Sequence, residues 1–295
     1  MINVNSKAGK KLDPIMPKKS SRYETKIAYT DELFSLIPKH LIGKLDGWEV
    51  VKEVNDIILT FGGNRRLTIQ DETVMLAVLM LMGKDGLFVI PNQSDMFPEK
   101  MEMIEAEAKA KNIGIVIESR WKLLKLCNLN DTGQNFEALK KNLDRLSSTT
   151  IHYKNKNSKW EGRSWFMTYH VTDDGRLYIS VNWRLAGAIY GEYHYITLDM
   201  DERTKLSSDY AKKLHVILSR MVWHGKTERY KVDTLIKHIW PDANVTPSVL
   251  KERRTKIRGA LESIGELGAW RIGLTGRGDA AIAEIERAAM QKINS

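Results

Sequence analysis

Cysteine is almost missing from this sequence, which holds only Cys127 among its 295 residues. One thiol cannot form an internal disulfide, and it excludes every zinc site built from several cysteines. Cys127 lies in the apolar run 123–129, so we expect a buried thiol rather than a reactive one. The seven histidines are scattered, without a pair at metal-binding spacing on one helix face. The sequence therefore predicts neither a metal site nor a cofactor.

Long apolar runs are also missing. No stretch reaches the roughly 18 continuous apolar residues that a membrane span requires. The lysines near the N-terminus are not followed by the apolar segment of a signal peptide. We therefore expect a cytoplasmic protein without a membrane partner. A P-loop is absent too, because Gly62-Gly63 and Gly276-Arg277-Gly278 lack the glycine and lysine spacing that holds phosphates.

Positive charge is present in excess and unevenly distributed. The chain has 46 Lys and Arg against 37 Asp and Glu, a net charge of +9. Residues 1–30 contain seven basic and two acidic residues, and residues 205–258 contain thirteen basic and five acidic residues. The rest of the chain is therefore net acidic. Charge concentrated in two stretches indicates a local positive surface, which is typical of proteins that bind nucleic acid.

The order of the predicted elements indicates an α+β fold, mainly helical, with two winged-helix domains in tandem. Helix 120–126, a polar turn and helix 134–146 precede a hairpin marked by Asp174-Gly175. The same order returns further along the chain. The predicted divisions are a flexible basic arm over 1–30, an N-terminal winged-helix domain over 31–182, a C-terminal one over 183–275 and a helical tail over 276–295.

Further elements are predicted from local patterns. Thr68-Ile69-Gln70-Asp71 resembles a capping box that opens a buried helix through the apolar run 74–82. The other predictions are a short helix over 31–41, a strand over 50–59 followed by a turn at Gly62-Gly63, a charged helix over 99–111 and an amphipathic helix over 279–293.

Helix 247–265 carries the strongest functional signal. Thr246-Pro247 starts it with a capping residue and a proline at its first position. Leu250, Ile257, Leu261 and Ile264 form one apolar stripe that fixes the buried side. A recognition helix needs this division, since one side packs while the other contacts bases and phosphates. The predicted DNA-binding residues are Ser248, Lys251, Arg253, Arg254, Thr255, Lys256 and Arg258. The alternative is a solvated basic helix face.

The first helix-turn-helix carries a weaker signal. Gln134, Lys141 and Arg145 fall on the side of helix 134–146 opposite its leucines, but Glu137 and Asp144 balance the charge. We predict DNA contacts from these three residues, and a structural domain or dimer surface is the alternative. Lys156 and Lys159 in the turn 154–163 fit a wing that reaches phosphates. A plain solvated hairpin is equally consistent with that turn.

Several motifs resemble the RepC replication initiators of IncQ-type plasmids. The motifs are Asp174–Tyr178, Ser207–Leu218, Val232–Leu235 with Trp240-Pro241, and Lys251–Arg254. The resemblance covers roughly residues 65–272, and it does not include the basic arm or the segment after Thr275. It implies two winged-helix domains that bind short direct repeats (iterons) in the plasmid origin and open the adjacent AT-rich DNA, where a plasmid-encoded helicase and primase load.

We therefore predict a non-enzymatic initiator that binds double-stranded origin DNA, and homodimerisation stays open. A transcriptional repressor with the same domains is the main alternative, although we find no segment typical of a ligand-sensing domain. A DNA-nicking enzyme is a weaker one. Tyr190, Tyr193 and Tyr195 cluster around His194, but the paired-histidine metal motif of such enzymes is missing.

Overall fold

The computed structural model describes residues 20–37, 41–42, 46–85, 87–89, 113–157, 161–241 and 245–289. These residues form two units, each built around its own hydrophobic core. The N-terminal unit takes its core from residues between Tyr23 and Val216, and the C-terminal unit takes its core from residues between Leu206 and Ile285. Within the described ranges, no helix combines the length and apolar character that a membrane crossing requires.

The N-terminal unit is built around one buried helix, because every residue from Val74 to Met82 is inaccessible or nearly so. Its helices are α1 (Thr25–Ala28), α2 (Ile69–Asp85), α3 (Arg120–Leu126), α4 (Gly133–Ser147), α5 (Trp183–Ile189) and α6 (Met200–Lys205). Its strands are β1 (Ser20–Glu24), β2 (Phe34–Ser35), β3 (Asp46–Val54), β4 (Ile57–Arg65), β5 (Leu67–Thr68), β6 (Leu87–Val89), β7 (Ile113–Ser119), β8 (Thr149–Asn155), β9 (Glu161–Trp165), β10 (Met167–Val171), β11 (Arg176–Val181) and β12 (Tyr195–Asp199).

Helix α2 begins at the predicted capping box. The backbone N–H of Thr68 donates to Oδ2 of Asp71 at 2.7 Å, and the N–H of Asp71 donates to Oγ1 of Thr68 at 3.3 Å. Two backbone donors at the helix start are thereby satisfied. The predicted capping box and the buried helix behind it are both confirmed.

The N-terminal unit contains two four-stranded sheets. The first has the strand order β10-β11-β7-β6, and the hairpin β10–β11 turns at Gly175 with a φ of +77°. The second has the order β3-β4-β8-β9. The predicted turn at Gly62-Gly63 is wrong, because both glycines lie inside β4 and pair with β3 and β8. A Cβ on Gly63 would lie 3.1 Å from the carbonyl oxygen of Ser148, so this glycine permits a close backbone approach.

The C-terminal unit follows a simple order of helices and strands: α7 (Asp209–Met221), β13 (Thr227–Lys231), α8 (Val232–Ile239), α9 (Pro247–Gly265), β14 (Trp270–Thr275) and β15 (Ile282–Arg287). Its antiparallel sheet has the order β13-β15-β14. The helix predicted over 279–293 is wrong within the described residues, because 282–287 form the central strand of this sheet. Ala283, Ile285 and Arg287 are buried there in alternation with exposed neighbours.

The segment from residue 20 to residue 37 joins the two units. β1 pairs antiparallel with β12 and is largely buried, so the part of the predicted flexible arm from residue 20 to 30 is ordered structure instead. Residues 1–19 lie outside the described residues. The helix predicted over 31–41 is wrong where the structure describes it, since Phe34–Ser35 form a strand beside β5. The helix predicted over 99–111 lies entirely outside the described residues.

Buried polar contacts hold the two units together. Arg203 on α6 is fully buried; it donates to Glu72 of α2 within the N-terminal unit at 2.9 Å and to the carbonyl oxygen of Lys212 on α7 at 3.1 Å. Its neighbour Glu202 accepts from the indole of Trp270 at 3.0 Å and lies 2.9 Å from Nε2 of His215. Because charges buried this deeply need fixed partners, these contacts favour one relative orientation of the units.

The architecture is a mixed α/β fold with comparable amounts of helix and strand, rather than the mainly helical fold that the sequence predicts. Among the described residues, helix accounts for 43% and strand for 34%. The difference arises largely from the sheet β3-β4-β8-β9 and from β15, which local sequence patterns understate.

Candidate nucleic-acid interface

Helix α9 packs with the side that its apolar stripe predicts. Ile257, Leu261 and Ile264 are fully buried in the core of the C-terminal unit, and Leu250 packs against that core. Oγ1 of Thr246 accepts from the N–H of Val249 at 3.4 Å, and Pro247 occupies the first turn. The predicted start of the helix and its buried side are confirmed.

The opposite side of α9 is open to solvent. The exposed residues along it are Ser248, Lys251, Glu252, Thr255, Gly259 and Glu262. Lys256 stands at the edge, where it pairs with Glu252 at 2.5 Å and lies over the ring of Tyr210. This side carries hydroxyl, amine and carboxylate groups within three turns, which suits contact with polar groups of a ligand.

Three arginines of α9 have partners within the protein. Nε and Nη2 of Arg254 donate to the two carboxylate oxygens of Asp233 on α8, at 2.7 and 2.5 Å. Arg258 donates to the carbonyl oxygen of Gly276 at 3.0 Å, and Arg253 lies over the ring of Trp240. The hydrogen bond to Asp233 raises the pKa of Arg254, so the guanidinium is firmly charged. These contacts fix α9 against α8 and the β14–β15 connection.

The β14–β15 connection forms a second exposed element beside α9. Gly276 and Gly278 adopt positive φ angles of +70° and +59° and turn the chain around Arg277, which is exposed. A Cβ on Gly278 would lie 3.9 Å from Nη1 of Arg254, so the connection lies next to the basic flank of α9. Arg277 is not among the residues predicted from the sequence, where Gly276-Arg277-Gly278 is compared only with the glycine and lysine spacing of a P-loop. The spacing of the two glycines around one arginine is a hairpin signal.

Helix α4 presents a different surface from the one its sequence predicts. Gln134 and Lys141 are exposed, as expected, together with Glu137 and Asp144. Arg145 is only 6% exposed, and its Nη2 and Nε donate to Asp71 of α2 at 2.8 and 2.9 Å. The prediction that Arg145 faces DNA is therefore wrong, because α2 covers this end of α4. The exposed side of α4 carries no excess of positive charge among the residues named here.

Of the two residues predicted to lie in a wing, the structure describes only Lys156. Lys156 lies just after β8 and pairs with Glu53 of β3. It therefore belongs to the sheet β3-β4-β8-β9 rather than to the hairpin β10–β11. Lys159 lies outside the described residues.

The cluster of tyrosines considered for nicking is partly buried. Burial raises the pKa of Tyr190 to about 12 and raises the pKa of Tyr193 as well. Tyr193 packs against the ring of Trp183 and lies under the guanidinium of Arg184. The pKa shifts oppose nucleophilic activation, which requires a lowered pKa or an adjacent base. Cys127 is buried too, and burial raises its pKa to about 12.

Comparison with known families gives a match that extends over both units. A model of the RepC family, described as Replication protein C, matches residues 38–285. The chain belongs to the RepC family. The family predicted from the motifs near Asp174–Tyr178 and Val232–Leu235 is thereby confirmed. No curated protein sequence matches the chain significantly.

Solved structures show the same fold at low sequence identity. A crystal structure of selenomethionine derivatives of domains 2 and 3 of RctB aligns with a TM-score of 0.57 at 9% identity, covering 87% of this RepC chain and 95% of the RctB chain. A second structure of RctB domains 2–3 aligns with a TM-score of 0.55 at 9% identity, covering 89% and 97%. At this identity the likeness concerns the fold alone, and it extends over both units.

Proposed function

We propose that this RepC protein starts plasmid replication by binding iterons in the double-stranded DNA of the origin, with α9 in a major groove. Family membership supports a role in replication. The observation that carries the specific proposal is the geometry of α9: one side is buried in the core, the other is exposed, and both flanks are fixed by contacts with α8 and the β14–β15 connection. This is the arrangement that groove recognition requires.

The topology supports two winged-helix domains in tandem. In the C-terminal unit the order α7, β13, α8, α9, β14, β15 places the last strand between the other two. The N-terminal unit has the same order in α2, β7, α3, α4, β10 and β11. Its last strand, β11, again lies between the other two, β10 and β7. The second unit keeps the order without interruption, while the first has β6 between α2 and β7 and has β8 and β9 inserted after α4. Helix-turn-helix followed by a hairpin is the order of a winged helix.

The roles within α9 follow from exposure. Ser248, Lys251 and Thr255 face outwards and are the proposed base-contacting residues. Arg277, in the exposed connection next to Arg254, is the proposed contact to the DNA backbone. Arg254 and Arg258 orient the helix through Asp233 and Gly276, and their charge still contributes to the positive surface.

The test is binding of the full chain to a duplex from its own plasmid origin and to a scrambled duplex. Lys251→Ala with Thr255→Ala should abolish the preference for the origin duplex, since each base contact contributes about 1–3 kcal/mol of discrimination. Lys84→Gln, an exposed lysine near the end of α2, is the matched control and should keep the preference. An unchanged preference in the α9 variant would exclude this helix as the reader of sequence.

We also propose that the protein acts without catalysis, and that helicase and primase loading follows origin opening. The raised pKa of Tyr190 and Tyr193 supports the first point. Incubation with supercoiled origin DNA and Mg²⁺ should leave the DNA supercoiled, whereas relaxed product would identify a nicking enzyme. Footprinting across the origin and the gene's own promoter separates an initiator from a repressor, because only an initiator protects the repeats beside the AT-rich segment.

A further inference from the structure

A cleft of about 500 Å³ lies between the two units, where α4 faces the junction of α6 and α7. Its walls include amide and hydroxyl side chains from both units and two lysines. The lining includes Asn135, Ala138, Lys205, Ser207 and Lys212. None of the described residues that line the cleft is Asp or Glu.

The positive charges of this cleft differ in their partners. Arg145 reaches its base, but its charge is committed to Asp71. Lys205 is exposed and Lys212 is half-buried, and among the described residues no carboxylate lies within ion-pair distance of either ammonium. Burial lowers the pKa of Lys212, opposed by Asp209 and assisted by Arg203. A half-buried ammonium without a carboxylate at ion-pair distance costs free energy, and a bound anion would offset that cost.

We propose that this cleft binds a phosphate of the DNA backbone, with Lys205 and Lys212 as its charged partners. Amide and hydroxyl groups such as those of Asn135 and Ser207 are common phosphate ligands beside lysine. Asn135 and Ala138 belong both to the cleft and to α4. A DNA strand that runs along α4 would therefore enter the cleft. DNA beside α4 is then contacted by Lys205 of the N-terminal unit and Lys212 of the C-terminal unit rather than by Arg145.

This inference rests on the proposed function, and the salt dependence of DNA binding tests it. The full chain carrying Lys205→Gln or Lys212→Met is titrated onto the origin duplex and onto the scrambled duplex over a series of salt concentrations. Each variant should raise Kd severalfold on both duplexes. The slope of log K against log salt should become shallower by about 0.9 for each phosphate that the variant no longer binds. Unchanged Kd and slope in both variants would overturn the proposal.

Two controls make the result interpretable. Lys84→Gln removes the same charge on α2, fourteen residues from the cleft residue Gln70 and therefore about 21 Å away along the helix. It should leave Kd and slope unchanged, and an equal weakening in this variant would reduce the effect to net charge and overturn the proposal. Thermal melts monitored by circular dichroism report whether Lys212→Met folds. If Lys212→Met does not fold, the Kd and salt slope of the Lys205→Gln variant test the proposal.

Failure of this inference and failure of the proposed function give different results. If Lys251→Ala with Thr255→Ala keeps the preference for origin DNA, the role of α9 is wrong whatever the cleft binds. If that variant loses the preference while the cleft variants bind normally, only the cleft assignment is wrong. Calorimetric titration with inorganic pyrophosphate in the absence of DNA tests whether the cleft binds a free phosphate compound. Saturable binding that Lys212→Met removes, with DNA binding unchanged, would assign the cleft to a free phosphate compound instead.

Discussion

The guanidinium of Arg254 and the carboxylate of Asp233 form a two-pronged ion pair between α9 and α8, at 2.7 and 2.5 Å. The pair attaches the proposed recognition helix to the helix before it. The main role of Arg254 is therefore to hold α9 in position. Asp233→Ala should therefore weaken specific DNA binding, although it removes a negative charge near the DNA. Binding assays on the origin duplex check this result.

The same pair allows a matched comparison. If Arg254 only contacted phosphate, Asp233→Ala would leave affinity unchanged or increase it. Arg254→Ala and Asp233→Ala should each lower the free energy of unfolding by no more than about 1 kcal/mol, because the pair is partly solvated. The double variant should cost less than the sum of the two, as expected for groups that interact with each other. Urea denaturation of all three variants measures this coupling.

Gly259 lies on the exposed side of α9, and a Cβ there would meet nothing within 4 Å. Glycine within a helix costs about 1 kcal/mol relative to alanine. Gly259→Ala should therefore raise the free energy of unfolding of the protein without DNA. We expect this variant to unfold at higher urea concentration and to bind origin DNA more weakly, because the added methyl group holds the helix away from the groove.

Gly265 near the end of α9 offers the control for that prediction. A Cβ at Gly265 would lie 3.7 Å from Ile272, which is an ordinary contact. Gly265→Ala should keep the affinity for DNA. If Gly259→Ala binds as tightly as the natural sequence, the exposed side of α9 does not approach DNA closely.

Arg277 stands at the turn between β14 and β15. Arg277→Ala should weaken binding to origin and scrambled duplexes alike, and it should reduce the salt slope by about 0.9 if the side chain neutralises one phosphate. Its unfolding midpoint should not change, because the side chain is exposed. Weaker binding confined to the origin duplex would instead make Arg277 a base-contacting residue.

Arg145 should behave as a structural residue. Arg145→Ala leaves the carboxylate of Asp71 buried without its cation, which typically costs about 3–5 kcal/mol. Burial already raises the pKa of Asp71 despite Arg145. Lys141→Ala on the exposed side of the same helix should change stability by less than about 0.5 kcal/mol. Equal stability of the two variants in urea denaturation would contradict the buried ion pair.

Local patterns were sufficient for the helices that carry strong signals at their ends. Thr246-Pro247 and the leucine and isoleucine spacing defined α9 and its buried side, and Thr68 with Asp71 defined the start of α2. They were insufficient for Arg145, which a helical projection places beside the exposed Gln134. Its burial depends on α2, and the partner residue Asp71 is 74 positions away in sequence.

Strand β15 was missed for a related reason. Ile282–Arg287 contains alanine, glutamate and arginine, which favour helix in isolation. Pairing with β13 and β14 overrides that preference, and it buries Ala283 and Ile285 on one face. The Arg277 turn was missed with it, since a hairpin cannot be predicted when its second strand is assigned to a helix.

Protonation of His215 should limit stability in mild acid. His215 is fully buried; burial lowers its pKa below the ordinary 6.5, although the hydrogen bond with Glu202 opposes the shift. The unfolded chain therefore takes up a proton at a pH where the folded chain does not. Stability is fully present above about pH 6.5 and decreases as the pH falls from 6.5 through the folded pKa. Urea denaturation at several pH values should show this decrease, and His215→Gln should reduce it. An identical pH dependence in the variant would assign the decrease to other groups.

The position of β15 also has a consequence for biosynthesis. This strand lies between β13 and β14 but follows both in the chain, so neither neighbour has its sheet partner until β15 has left the ribosome. Helix α9 is thus made before the sheet that supports it is complete. A nascent chain that stops before Ile282 would carry the basic helix on an unfinished core, and competence to bind the origin would arise only at the end of translation of this unit.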